Sequence, residues 1–199
     1  MNKNVNEHFR KVDPILYAVI EKVGVFGPKV SDDHFSELCE IIINQQLSDK
    51  AAATIFGRFR KLFPQEKITP QALLKLAAEK IRSCGTSNAK VSFLKDLAAK
   101  VLPEELRLDQ LNKLSDDLII KKLTKVKGIG PWSAEMFLMF SLGRDDVFSH
   151  GDLGLRNAIK KLYKFKKEPT KKQIEKIVEK WKPYRTYACR ILWKSLEIK

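Results

Sequence analysis

The sequence predicts an all-α protein. Apolar residues recur at three- and four-residue steps along most of the chain, and no stretch shows the period-two alternation of a strand. The punctuation is also that of helix starts: Ser or Thr before an apolar run, and Pro in the first turn. Residues 35–46 carry Phe35, Leu38, Ile41, Ile42 and Ile43, the pattern of a strongly buried helix. Ser48 is placed to cap the next one, whose face is Ala52, Ile55, Phe56, Phe59, Leu62 and Phe63. Thr69-Pro70 starts another helix. Residues 88–101 and 115–125 read as two more, and Gly130-Pro131 opens one through Trp132–Leu142. Leu155, Ile159, Leu162 and Tyr163 mark a helix after Asp152. Thr170 and Gln173 have capping-box spacing ahead of Ile174, Ile177, Val178 and Trp181, and a last helix covers 184–196. The expected total is roughly ten helices, without repeats, low-complexity tracts or long linkers.

A chain of 199 residues can bury one good core, or two small ones. Its longest apolar run, Met136 to Leu142, is far too short to span a bilayer, so no membrane association is expected. The opening MNKNVNEHFRKVDP has neither an apolar core nor a small-residue cleavage site. The expectation is a protein that is not secreted: cytoplasmic in a prokaryote, nuclear in a eukaryote. Cys39, Cys84 and Cys189 form no CxxC pair and cannot supply four ligands to an iron–sulfur cluster, so none is expected.

The net charge of +14 is unevenly distributed. Residues 153–199 hold 15 Lys and Arg against 4 Asp and Glu. A one-sided positive field favours a polyanion, and nucleic acid is the commonest one. A solvated Lys-rich helix face is the plainer alternative.

Gly128 and Gly130 flank Ile129 between two helical patterns. Two glycines let the backbone approach another surface closely. The N–H groups at the start of the Pro131 helix lack internal partners and sit at the positive end of its dipole, which makes an anion site. Lys125 and Lys127 add to it, and Ile129 would anchor the turn in the core. Gly-x-Gly alone reads as a plain helix–helix turn. Asp152 follows Trp132 by twenty residues, in Ser149-His150-Gly151-Asp152-Leu153-Gly154. By itself this Asp reads as a helix N-cap.

The full string LTKVKGIGPWSAEMF, followed by Asp152, resembles the helix-hairpin-helix (HhH-GPD) DNA glycosylase superfamily, and within it the DNA-3-methyladenine glycosylase II group. Ile43-Asn44-Gln45-Gln46-Leu47-Ser48, Cys84 to Lys90, and Trp181 to Ala188 carry the resemblance over residues 30–196. It implies a two-lobed helical fold with a cleft between lobes. Residues 32–145 would form a helical barrel ending in the hairpin, and residues 1–31 with 146–199 the second lobe. The extra N-terminal β-rich domain of larger members is not expected.

The resemblance further implies a monofunctional glycosylase of base excision repair. It would hydrolyse the N-glycosidic bond of alkylated purines, of the 3-methyladenine and 7-methylguanine type, flipped out of double-stranded damaged DNA, and would act as a monomer. Asp152 matches the catalytic carboxylate, which stabilises positive charge building on the deoxyribose and orients water. Trp132 and Trp193 match two base-pocket tryptophans. Their indoles would favour a cationic alkylated base by about 0.5–2 kcal/mol per contact. In isolation each reads as a core tryptophan. Gln45 either lines the pocket or satisfies a helix end. Lys125, Lys127, Gly128, Ile129 and Gly130 match the DNA-gripping hairpin, and Ser87 or Asn88 the loop that fills the vacated DNA space.

The family's hairpins often hold a monovalent cation, Na or K, through main-chain carbonyls. The matching positions are Thr124, Val126 and Ile129, and no other cofactor is implied. Bifunctional members place a Schiff-base lysine where Trp132 stands, so no lyase activity is implied. Two alternatives stay open: a glycosylase for another lesion, such as ethenoadenine or a deaminated base, and a non-catalytic DNA-binding protein with the same fold.

Overall fold

Helix caps and amphipathic faces are realised along the chain. A computed structural model describes residues 2–28 and 30–197. Among these there are twelve α-helices, three short 3-10 turns and no strand. In chain order the helices are α1 (Asn2–Val12), α2 (Pro14–Val23), α3 (His34–Asn44), α4 (Asp49–Arg60), α5 (Pro70–Lys75), α6 (Ala78–Arg82), α7 (Asn88–Val101), α8 (Asp116–Leu123), α9 (Pro131–Phe140), α10 (Leu153–Leu162), α11 (Lys171–Val178) and α12 (Arg185–Ser195). The chain divides into two compact units, Ser31–Leu142 and Met1–Val30 with Gly143–Lys199. No helix among the described residues is long and apolar enough to cross a membrane.

In the central unit, α3 buries Phe35, Leu38, Cys39, Ile42 and Ile43. It ends at Asn44, two residues before the sequence pattern suggests. Gln45 leaves helical geometry (φ −50°, ψ 128°), and Gln46 is left-handed (φ 58°). Two lysines of α7 cap neighbouring helix ends. Lys90 Nζ donates to the carbonyls of Ile43 (2.8 Å) and Gln45 (2.7 Å). Lys95 Nζ donates to those of Leu73 (2.8 Å), Leu74 (2.8 Å) and Leu76 (2.6 Å). Each supplies donors to carbonyls that a helix C-terminus leaves unpaired. Burial lowers the pKa of both.

Thr69 caps α5 through Ala72 N–H at 3.2 Å. Ser48 stands at the N-cap of α4, but its side chain makes no capping bond. It is exposed there, where water can serve those N–H groups.

The second unit joins both chain ends through a buried carboxylate. Asp13 Oδ1 caps α2 at Leu16 N–H (3.0 Å). Its Oδ2 accepts from Tyr163 Oη (2.5 Å) and Trp181 Nε1 (2.8 Å). The N-terminal helices are not legible in the sequence: α1 buries only Val5 and Phe9 among charged and amide side chains. The capping box at Thr170 and Gln173 is formed. Arg185 holds Asp146 in a fork, Nε to Oδ1 at 2.7 Å and Nη2 to Oδ2 at 3.0 Å. Thr186 Oγ1 donates to the Arg144 carbonyl (2.6 Å) and accepts from Val147 N–H (3.1 Å). This segment enters the loop that carries Asp152.

Candidate active site and hairpin

The hairpin spans the six residues between Thr124, the C-cap of α8, and Pro131, the first residue of α9. Val126 and Ile129 point inward and are 2% and 3% exposed, while Lys125, Lys127 and Gly128 are exposed. Gly128 is left-handed (φ +78°), and a Cβ there would lie 2.1 Å from the Phe93 ring of α7. Gly130 is different. Its backbone is extended (φ −93°, ψ 179°), and a Cβ would meet nothing within 4 Å. The fold therefore requires glycine at 128, and leaves open space at 130.

Two side chains hold the hairpin from within the same unit. Lys127 N–H donates to Asp96 Oδ2 (2.8 Å). Gln45 Nε2 donates to the Gly128 carbonyl (2.8 Å) and to Ser133 Oγ (3.0 Å). Gln45 thus serves the turn and not the end of its own helix. Asp96 is also gripped by Lys100, whose Nζ lies 2.8 and 2.7 Å from its two oxygens. Burial alone would raise the Asp96 pKa, but the Lys100 and Lys127 hydrogen bonds outweigh it and hold the carboxyl below its ordinary range.

In the other unit, Asp152 is the N-cap of α10. Its Oδ1 accepts from Leu155 N–H at 2.8 Å and from Trp193 Nε1 of α12 at 3.0 Å. The carboxylate is half-buried. Gly154 makes this approach possible: a Cβ there would lie 3.1 Å from Asp152 Oδ1 and 3.3 Å from the Trp193 ring. One oxygen is thereby fixed by two donors from separate elements. Such a carboxylate is pre-oriented, and a fixed carboxylate can stabilise a developing cation without reorganising.

Trp193 is half-buried, with its N–H committed to Asp152. Trp132 belongs to the central unit, in the first turn of α9, and is 38% exposed although large and apolar. Ser87 caps α7 through Lys90 N–H (3.3 Å), and Asn88 Oδ1 accepts from Arg82 Nη1 (2.8 Å); both are exposed. His150 Nε2 lies 3.0 Å from Glu175 Oε2, and burial lowers its pKa. Thr124 is exposed at the end of α8, and the Val126 carbonyl accepts Ile129 N–H at 3.1 Å. All three cysteines are buried and none is in a disulfide. No cluster of three or more His, Cys, Asp or Glu suited to a metal ion occurs among the described residues.

Asp96, Phe93 and Gly154 were not legible as site residues. Asp96 and Lys100 have helix-pair spacing, but nothing in the sequence says which loop the carboxylate meets.

Residues 39–183 match the family described as HhH-GPD superfamily base excision DNA repair protein. The DNA-3-methyladenine glycosylase 1 of Schizosaccharomyces pombe is 34% identical over 96% of this chain and 86% of its own. The DNA-3-methyladenine glycosylase of Saccharomyces cerevisiae is 32% identical over 94% of this chain and 77% of its own. The solved structure of the S. pombe 3-methyladenine DNA glycosylase in complex with abasic DNA superimposes with a TM-score of 0.90, covering 98% of this chain and 97% of that one. That of a Bacillus halodurans DNA-3-methyladenine glycosidase gives 0.81 at 36% identity, over 94% and 88%.

Proposed function

The chain belongs to the HhH-GPD superfamily of base excision DNA repair proteins, and on that footing we propose that it is a monofunctional DNA-3-methyladenine glycosylase. It hydrolyses the N-glycosidic bond of alkylated purines in double-stranded DNA, acting as a monomer. The observation that carries this reading is the fixed Asp152 carboxylate, held through one oxygen by Leu155 N–H and Trp193 Nε1.

Cleavage of the bond leaves positive charge on the deoxyribose. A carboxylate already oriented stabilises that charge without reorganising and directs water to the sugar. Ring-nitrogen alkylation makes the base a cation and a good leaving group, so the base needs no general acid. The exposed indole of Trp132 suits the face of such a cation, and Trp193 keeps Asp152 aimed. The hairpin grips the strand through N–H groups, with Lys125 and Lys127 adding charge, and Ser87 and Asn88 face the duplex. The carbonyls of Thr124, Val126 and Ile129 are neutral oxygen donors suited to Na or K; such an ion would steady the turn and takes no part in the reaction.

The test is release of free base from methylated duplex DNA. Asp152→Asn keeps an oxygen for both Leu155 and Trp193, so the fold and DNA binding persist. Its base release should fall by at least about a hundredfold. Activity within a few fold of wild type would remove Asp152 from this role. No release by the wild-type protein from any alkylated or deaminated substrate, with DNA binding intact, would leave a non-catalytic binder.

A further inference from the structure

The hairpin's peptide units alternate between two states. In a trans peptide the N–H and the C=O point opposite ways. In the 126–127 unit the N–H is held by Asp96 at 2.8 Å, and the C=O accepts Ile129 N–H at 3.1 Å. In the 128–129 unit the C=O is held by Gln45 at 2.8 Å, and the N–H is that same Ile129 donor. Both planes are fixed at both ends. Between and after them lie the N–H groups of Gly128 and Gly130, which have no hydrogen bond within the chain among the described residues.

We infer that Asp96 is a positioning residue for DNA binding, locking the 126–127 peptide plane so that the Gly128 and Gly130 N–H groups are presented together to one phosphate strand. This rests on the reading of the hairpin as a phosphate grip. The geometry has an electrostatic oddity that the inference explains. A carboxylate next to an anion site repels the anion, so charge alone argues against Asp96. Lys100 offsets part of that repulsion, and the other hydrogen bond to Asp96 comes from the Lys127 N–H. A group whose charge opposes the anion can help the site only through its geometry.

The two accounts predict opposite signs. If Asp96 acts only as a charge, Asp96→Ala raises the net charge and frees Lys100, so a duplex carrying an abasic-site analogue binds more tightly. If it positions the hairpin, the same variant binds about tenfold more weakly, the scale of one lost charge-assisted hydrogen bond. Asp96→Asn, whose amide oxygen still accepts from Lys127, should restore binding to within about threefold of wild type. In DNA-free protein the Lys127 amide proton should shift with pH as the Asp96 carboxyl titrates, and should lose that response in Asp96→Asn.

Equal or tighter binding by a folded Asp96→Ala protein overturns the inference. So does a Lys127 amide signal indifferent to Asp96→Asn, a readout that stands even if the alanine variant fails to fold. Gly130→Val separates this from the parent reading. If it binds as wild type, the hairpin is no phosphate grip; if it binds weakly while Asp96→Ala does not, only the role of Asp96 falls.

Discussion

Trp193 and Asp152 share one hydrogen bond, Nε1 to Oδ1 at 3.0 Å, on the same oxygen that caps α10 at Leu155 N–H. The capping carboxylate and the candidate catalytic carboxylate are therefore one group with one orientation. An N-cap bond sets the distance of Oδ1 from the helix axis, and the indole sets the direction in which the carboxylate plane turns. Gly154 leaves the space for both, since a Cβ there would press on Oδ1 at 3.1 Å and on the indole at 3.3 Å.

Trp193→Phe tests the orienting role. It keeps most of the ring's packing and deletes one donor to an ionised oxygen, a bond in the range of about 1.5–3 kcal/mol. Single-turnover base release should fall by about tenfold or more, with affinity for abasic-site DNA much less affected. If release is unchanged at saturating enzyme, the indole N–H does not orient the carboxylate.

The two hairpin glycines should part company. Gly128→Ala forces a left-handed L-residue and drives a methyl to 2.1 Å from the Phe93 ring. The unfolding free energy should drop by at least about 2 kcal/mol, read from denaturant curves. Gly130→Ala adds a methyl to open space at an extended residue, so its stability should stay within about 0.5 kcal/mol of wild type. Its affinity for DNA should nonetheless fall severalfold, alike for many sequences, because the methyl occupies the approach path of a phosphate. Equal melting of both variants would contradict the packing of Phe93 against Gly128. Unaltered DNA affinity of Gly130→Ala would assign that glycine to the turn alone.

What the sequence carried and what it withheld divide along local and distant interactions. The all-α class, the limits of α7 at Asn88 and Val101, the capping box at Thr170 and the N-cap at Asp152 follow from spacing within a few residues, and they stand in the structure. The ends of α3 were less legible, because its C-terminus is set by Lys90 Nζ reaching across from α7. The hairpin's two staples were invisible for the same reason: Asp96 and Lys127 are 31 residues apart, Gln45 and Gly128 83. Asp13 caps α2 through Leu16 N–H, and only the fold brings Tyr163 and Trp181 to its other oxygen. Short-range chemistry leaves a sequence signature; a donor and acceptor joined only by tertiary folding leave none.

Strand cleavage through a Schiff base needs a neutral amine at the sugar. On the resemblance to the superfamily, Trp132 stands where lyase-active members would place a lysine. Burial lowers the pKa of Lys90 and Lys95, which by itself favours nucleophilicity. Their ammonium groups are nevertheless spent on two and three main-chain carbonyls respectively, and freeing either would uncap a helix end. Borohydride added during turnover on methylated DNA should therefore trap no covalent protein–DNA adduct on a denaturing gel, and the product strand should break only after alkali. An adduct that disappears in Lys90→Met would identify Lys90 as the amine. An adduct of any origin would show that the reaction does not stop at hydrolysis of the base.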